Sequence, residues 1–362
     1  MVVIANESIT YYSGACISLP SNAVYFNTTT SYSVSGATTL NALTAGYTTN
    51  PLVNTCQYKC NGTNVWNGSS CIAAPLYTFT SHTFTNCGVN GMSGPSLSTC
   101  RSSYGGGVAW AQDTTNNYLN MTTNGIQLWT VPSTGTYRID AYGSVGGSAY
   151  LLSTSTVNSG QPGARIRGDF TLTRGQILKL LIGQTSNNTQ NPGARGGGGG
   201  GGSYVVDNAS VPMLIAGGGG GAGQYAEVGG EGQSGQDGTA GTRGSFGAGG
   251  VNGGGGGASQ YAGGGAGWYS NGTNSGNGKG GNTFNNGGEG GVLTSDGANG
   301  GFGGGGGTYP GGGGGGGYSG GGGGDWSYSG RGGGGGSYNT GTNQVNTTGA
   351  NTTSGYIIIT KL

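Results

Sequence analysis

Charge is what this sequence has least of. Only 6% of its 362 residues are charged, twelve Lys and Arg against eleven Asp and Glu, for a formal net charge of +1. A protein that tracks phosphates needs clustered Lys and Arg. The basic residues here are scattered, which argues against nucleic acid or an acidic membrane surface as a partner. Long apolar runs are also missing. Nothing reaches the roughly 18 residues of a membrane-spanning helix, so no membrane insertion is expected. The opening MVVIANESIT has no basic n-region and does not read as a secretory signal. The expectation is an export signal missing from this sequence, or a route that does not use one.

Catalytic equipment is equally sparse. His82 is the only histidine, and it lies in SHTFT beside an expected strand. A Ser-His-Asp arrangement would have to use it, and a lone histidine is more often structural. The acidic residues form no ligand cluster and no carboxylate pair. The phosphate-loop pattern fails at its lysine, because Gly278-Lys279 is followed by Gly280. Matches to G-x-G-x-x-G are trivial in so much glycine, and none stands between a strand and a helix. The chain is therefore expected not to be an enzyme, and to need neither cofactor nor metal.

What is abundant is glycine, 92 residues, together with 21 tyrosines. High glycine can signal low complexity, but disordered chains are usually charge-rich, and this one is not. Six cysteines, Cys16, Cys56, Cys60, Cys71, Cys87 and Cys100, all fall in the first 100 residues. An even number confined to one region reads as disulfides in an oxidising compartment. Zinc is the rival reading, but the C-x3-C of Cys56 and Cys60 has no second pair or histidine at ligand spacing. One pairing is Cys16–Cys60 with Cys56–Cys71; four cysteines allow three connectivities. Glycosylation sequons begin at Asn6, Asn27, Asn61, Asn67, Asn120, Asn187, Asn208, Asn271, Asn346 and Asn351. They are little more frequent than chance allows, and they suit an extracellular chain.

Residues 1–75 read as a small Cys-rich β module, too small for a large core and stapled by its bridges. Cys60 and Cys71 bracket two Asn-Gly turns, a hairpin signal. Residues 76–362 read as one glycine-rich domain, with β-sandwich strands at 76–184 and 351–362. In TYRIDAYG, Tyr137, Ile139 and Ala141 share one face, and Arg138, Asp140 and Tyr142 the other. QILKLLIG is apolar enough for a central strand. The closing SGYIIITKL sets Ile357 and Ile359 against Tyr356, Ile358 and Thr360, and needs a sheet to complete. Period two with short turns predicts an antiparallel sandwich with almost no α-helix.

Between these strands, residues 185–350 are dominated by glycine runs, among them 196–202, 217–221, 303–307, 311–317, 320–324 and 332–336. From Gly232 to Gly256 glycine recurs every third residue. That is the period of an extended threefold helix, and it leaves one bare edge for another chain to approach. Ordering a glycine costs about 1–2 kcal/mol of backbone entropy and buries no side chain. Only the N–H and C=O groups can repay it, and in a threefold helix both point outward. The runs are therefore expected to bond laterally, as a bundle of polyglycine II helices with short strands.

Five pieces then occur in order: FTNCGVNGMSGPSLSTC, NGIQLWTVPSTGTYRIDAYGSVGG, GARIRGDFTLTRGQILKLLIGQ, GGGGGGGSYVV and VPMLIAGGGGG. This succession resembles the extracellular glycine-rich domain of the anaplastic lymphoma kinase and leukocyte tyrosine kinase receptor family, over roughly residues 80–340. The resemblance implies a tumour-necrosis-factor-like β-sandwich packed beside hydrogen-bonded glycine helices, in a domain that binds a cytokine-like ligand at the cell surface. No kinase domain accompanies it in this sequence. Glycine-rich tips of bacteriophage tail-fibre adhesins are similar in composition, and there loops between glycine helices recognise a host surface.

Trp268, Tyr269, Tyr309 and Trp326 punctuate the glycine runs. Loop aromatics can carry recognition; they can also cap helix ends and shield the sheet, the reading favoured here. The leading expectation is a non-enzymatic extracellular structural or adhesive protein at the cell or virion surface, the repeating subunit of a fibre or filament. Residues 1–12 could then add to a neighbour's sheet edge. One alternative is a phage or bacterial adhesin, with recognition tips near Trp268 and Tyr309. The other is the ligand-binding ectodomain of a receptor. The expected partners are further copies of the chain, or a cell-surface glycan or protein.

Overall fold

The chain divides into two units, Met1–Leu76 and Tyr77–Leu362. The computed structural model describes residues 3–4, 7–8, 10–13, 23–25, 55–60, 64–66, 71–151, 156–186, 196–223, 230–293, 297–325 and 330–362. In the first unit Thr55–Cys60 pairs antiparallel with Thr10–Ser13 on one side and Ala23–Tyr25 on the other. Asn64–Trp66 pairs antiparallel with Cys71–Ala73. Cys16 and the cysteine pairing of this unit lie outside the described residues.

The second unit is a sandwich of two antiparallel sheets. Its strands are β1 (Ser81–Thr85), β2 (Leu119–Asn120), β3 (Ile126–Thr130), β4 (Gly135–Tyr142), β5 (Ala149–Leu151), β6 (Thr156–Asn158), β7 (Gly163–Leu172), β8 (Ile177–Leu181), β9 (Ser203–Asp207), β10 (Pro212–Ala216), β11 (Tyr338–Asn339), β12 (Thr342–Asn351) and β13 (Tyr356–Lys361). A five-stranded sheet runs β12-β7-β4-β13-β1, and a six-stranded sheet runs β11-β10-β9-β8-β3-β2. The strand β12 was expected to be part of the glycine region. It is instead a ten-residue edge strand of the five-stranded sheet, paired with β7. Its sequence, TNQVNTTGAN, is polar because nearly all of it faces solvent, so no apolar alternation marks it.

Alternation decides which face each strand buries. Tyr137, Ile139, Ile166, Leu172, Ile357 and Ile359 from one sheet meet Trp129, Leu178, Leu180, Val205 and Leu214 from the other, all fully buried. Each such side chain contributes about 1.5–3 kcal/mol. The six-stranded sheet has a second apolar face. There Ile126, Leu181, Tyr204, Val206 and Ile215 pack against Trp268, Phe284, Phe302 and Tyr318 of the glycine-rich region. Both faces of this sheet are covered, which explains the near-continuous apolar runs of β8, β9 and β10.

A single eight-residue helix, α1 (Leu97–Tyr104), is held locally. The Ser96 hydroxyl caps it by accepting from the Thr99 N–H at 3.2 Å, and Gly105 ends it at φ 70°. A disulfide joins Cys100 of this helix to Cys87 at the end of β1.

The glycine region is an ordered backbone lattice, and the run 311–317 lies inside it, entirely buried. Its N–H groups donate in rotation to three neighbours. Gly312 and Gly315 reach Gly330 and Gly333, Gly313 and Gly316 reach Gly197 and Gly200, and Gly314 and Gly317 reach Gly263 and Ala266, at 2.9–3.1 Å. Its carbonyls accept from three more. Gly312 and Gly315 are bonded by Gly324 and Gly321, Gly313 and Gly316 by Gly221 and Gly218, and Gly314 by Gly306, at 2.7–2.8 Å. Every third residue thus returns to the same neighbouring run, a bonding period of three. The period-three stretch lies at the margin. Gly241, Gly247, Gly250 and Gly256 are buried and donate into the lattice, while Arg243, Ser245, Phe246 and Val251 between them are exposed.

No side chain fits where the rods cross. A Cβ on Gly314 would lie against the carbonyl oxygen of Gly321, and one on Gly315 against that of Gly218. Gly106, in an open turn, would meet nothing. Gly314→Ala is therefore expected to lower stability by about 3 kcal/mol or more, against little change for Gly106→Ala. Urea melts of both variants check this, and wild-type amides of 312–317 should exchange far slower than random coil. Equal melts for the two variants, or random-coil exchange, would sink the lattice.

Candidate functional site

Among the described residues of the second unit, the five-stranded sheet packs its apolar core on one face. Cross-strand register gathers much of the molecule's charge on the other. On β4, Arg138 sits opposite Asp169, Asp140 opposite Arg167, and Tyr142 opposite Arg165. Directly opposed unlike charges attract across strands, and here the bonds are close. Arg138 donates from Nε and Nη2 to Asp169 at 2.8 and 2.9 Å. Asp140 takes a two-pronged bond from Arg165 at 3.0 and 2.8 Å, and Arg167 adds two further bonds to its Oδ2 at 3.0 and 2.9 Å. Asn343 of β12 donates to Asp169 at 3.0 Å.

The two carboxylates are buried, while the three guanidiniums keep 27–39% of their side-chain surface in solvent. Three cations over two submerged anions give the face a net positive rim. Charge-assisted bonds from Arg138 and then Asn343 hold the Asp169 carboxyl below the usual range. Bonds to the Asp140 carboxylate likewise raise the Arg165 guanidinium. Arg165 lies 5.5 Å from the centroid of the Tyr142 ring. Tyr142 in turn stacks on Tyr356 of β13 at 4.1 Å and 18°. Burial, then the Asp140 charge, pushes the Tyr142 hydroxyl up to about 12, so it stays protonated. The result is a fixed row of guanidinium, phenol and phenol.

The other titratable features serve the core. His82 sits edge-on to Phe84, Tyr104 and Trp110 at 4.7–5.1 Å. Its Nε2 is buried without a hydrogen-bond partner, and burial lowers its pKa to about 4. Beside the disulfide, the Tyr104 hydroxyl donates to Gln127 Oε1 at 2.7 Å, and Gln127 Nε2 donates to the Thr85 carbonyl at 2.9 Å. Among the described residues no group of three or more His, Cys, Asp or Glu is placed to hold a metal ion. No described helix is long and apolar enough to cross a membrane.

The aromatics singled out from sequence separate. Trp268 is 5% exposed and stacks on Phe284 at 5.6 Å against the six-stranded sheet. Its burial depends on how the lattice seats on the sheet, which no local pattern encodes. Tyr269 is 71% exposed, Tyr309 is half-buried, and Trp326 lies outside the described residues. Trp268 and Tyr309 also do not share a tip. Gly317 at one end of its run bonds Ala266, beside Trp268, whereas Gly311, at the other end, follows Tyr309. The length of the run separates the two ends.

The sequons also divide. Asn208 is exposed at the β9–β10 turn, and Asn271 and Asn346 are exposed but hydrogen-bonded. Asn120 is half-buried. Asn351 must be corrected as an acceptor: it is 5% exposed, and its Nδ2 donates to the carbonyls of Gly143, Thr353 and Ser354. Asn6, Asn27, Asn61, Asn67 and Asn187 lie outside the described residues. The patch of Arg138, Asp140, Tyr142, Arg165 and Arg167 was missed as a site from sequence. Its signal was the clean alternation of TYRIDAYG and ARIRGD, which puts the scarce charges on one face.

No family model matches the chain. A 110-residue stretch is 34% identical to the mouse leukocyte tyrosine kinase receptor, covering 30% of this chain and 12% of the receptor.

Two outcomes follow from this geometry. Protonating His82 would bury an unpaired cation, and the unfolded chain takes up that proton at a higher pH than the folded one. This contribution to stability is therefore present above about 6.5 and lost as pH falls towards 4. Urea melts at about pH 7.5 and 4.5 should show the loss, and His82→Phe should flatten it. In a glycosylating secretory host, peptide mapping should find a glycan at Asn208, removed by Asn208→Gln, and none at Asn351.

Proposed function

We propose that this chain is a non-enzymatic extracellular recognition protein, built in the manner of a receptor ectodomain. In this reading a polyglycine II bundle stiffens a sandwich that presents one open sheet face to a protein ligand. The observation that carries it is the ordered Arg–Asp–Tyr patch on that face. Interfaces are enriched in Arg and Tyr, and hot spots cluster where such side chains are held in place beforehand. The rim is cationic, so the expected partner offers an acidic surface. The disulfide Cys87–Cys100 suits an oxidising compartment. The similarity to a receptor points the same way.

A fibre subunit is supported less well. Strand addition needs a free, regular edge. The long edge strand β12 has two register shifts against β7 and left-handed backbone at Asn343 and Gly349, and β2 and β11 are two residues long. The adhesin reading loses Trp268 from its tip.

The test is site-directed photo-crosslinking on the full chain. Val345 is 44% exposed and registers with Arg167 on the open face, and Val211 is 54% exposed in the β9–β10 turn of the other sheet. A crosslinker at 345 should capture a secreted or cell-surface protein that a crosslinker at 211 does not, with capture weakening as salt rises. Capture at 211 alone, or polymerisation of the purified chain seen by electron microscopy, would overturn the reading.

A further inference from the structure

We propose a second, separate site at the β1 edge of the same sheet: a shallow depression that takes a neutral pyranose sugar. It has a volume of about 410 Å³, lined by Thr83, Thr85, Asn86, Thr353, Ser354 and Tyr356. That is within the range of small-ligand sites.

Three observations select the ligand. First, none of the lining side chains is charged. An anionic or cationic ligand would lose hydration there and gain no ion pair. Second, the one ring in the lining is fixed. Tyr356 lies on β13 between β4 and β1. Tyr142 of β4 occupies one side of it at 4.1 Å, with Arg165 behind Tyr142. On the other side its register partner is only Thr85, on the short edge strand. A flat aromatic face beside small hydroxyl side chains matches a pyranose, which has an apolar C–H face and a ring of hydroxyls. Third, the walls are set before any ligand arrives. Asn86 is bonded within its own turn, to Val89 and Asn90, and Ser354 donates to Asn90 at 2.6 Å. The Thr85 hydroxyl accepts from the Cys87 N–H at 3.2 Å, which holds it in place. A hydroxyl-lined floor and a buttressed ring need little ordering on binding.

This site borrows the Tyr142–Tyr356 stack from the Arg patch but takes a different ligand. The experiment is saturation-transfer NMR on the full chain after enzymatic removal of its own N-linked glycans. The probes are glucose, galactose, mannose and N-acetylglucosamine, with sialic acid and a heparin fragment as anionic counterparts. At least one neutral sugar should bind saturably, with a Kd of about 1 mM. Binding that appears only before glycan removal would instead mean a contact with the chain's own glycans, and would overturn the proposal. Tyr356→Leu should weaken binding at least roughly tenfold and Thr85→Val roughly fivefold, with Val211→Ala neutral. If Tyr356→Leu fails to fold, Thr83→Val and Thr85→Val decide, since both keep the shape of the floor. No neutral sugar bound, preference for the anionic probes, or binding unmoved in folded variants would each overturn the proposal. A protein captured at 345 with no sugar bound would leave the recognition reading standing and remove this one.

Discussion

The lateral N–H···O=C bond between glycine runs is the interaction on which the rest of the structure depends. A buried glycine offers nothing else. Its ordering costs about 1–2 kcal/mol and each net hydrogen bond returns about 0.5–1.5 kcal/mol, so a fully bonded residue comes out close to even. A rod missing partners on one side falls into deficit. The run 311–317 meets this condition by being enclosed on every side. The crossing distances that make the bonds short also exclude a Cβ, so composition and geometry enforce each other.

Since such a lattice barely sustains itself, it needs an anchor. The second apolar layer supplies one. Trp268, Phe284, Phe302 and Tyr318 leave the glycine region to pack on Ile126, Leu181, Tyr204 and Ile215. The Tyr204 hydroxyl reaches from the sheet into the lattice and donates to the Gly317 carbonyl at 3.1 Å. The anchor occupies the outer face of the six-stranded sheet. The core occupies both inner faces, which leaves the outer face of the five-stranded sheet for other uses, and there the ion pairs and the tyrosine stack are gathered. A chain with so few charges has placed five of them on this one surface.

How much of this could be read beforehand follows from which forces are local. Strand faces are local. The alternation in TYRIDAYG and YIIITK correctly separates Ile139, Ile357 and Ile359 from Arg138, Asp140 and Tyr356. The lateral bonding of glycine runs could also be argued in advance, because their backbone groups have no other way to be satisfied. What failed depends on long-range packing or on weak local signals. The strand β12 lies at an edge with both faces wet, so nothing apolar marked it. The residues that cover Trp268 lie in the sheet, far away in sequence, so its burial could be read only in general terms, as an aromatic shielding the sheet.

A stiff backbone lattice has a further consequence for recognition. Binding costs free energy in proportion to what must be ordered on contact. A sheet clamped by a core on its inner face and tied through that core to a crystalline block of backbone has few motions left to lose. Its guanidiniums are already fixed by two carboxylates, and its phenols by each other. The ion pairs themselves contribute modestly to stability, because the arginines remain partly in water. Their main effect is positional: they hold three cations and two rings in one arrangement on a surface that the rest of the molecule keeps still.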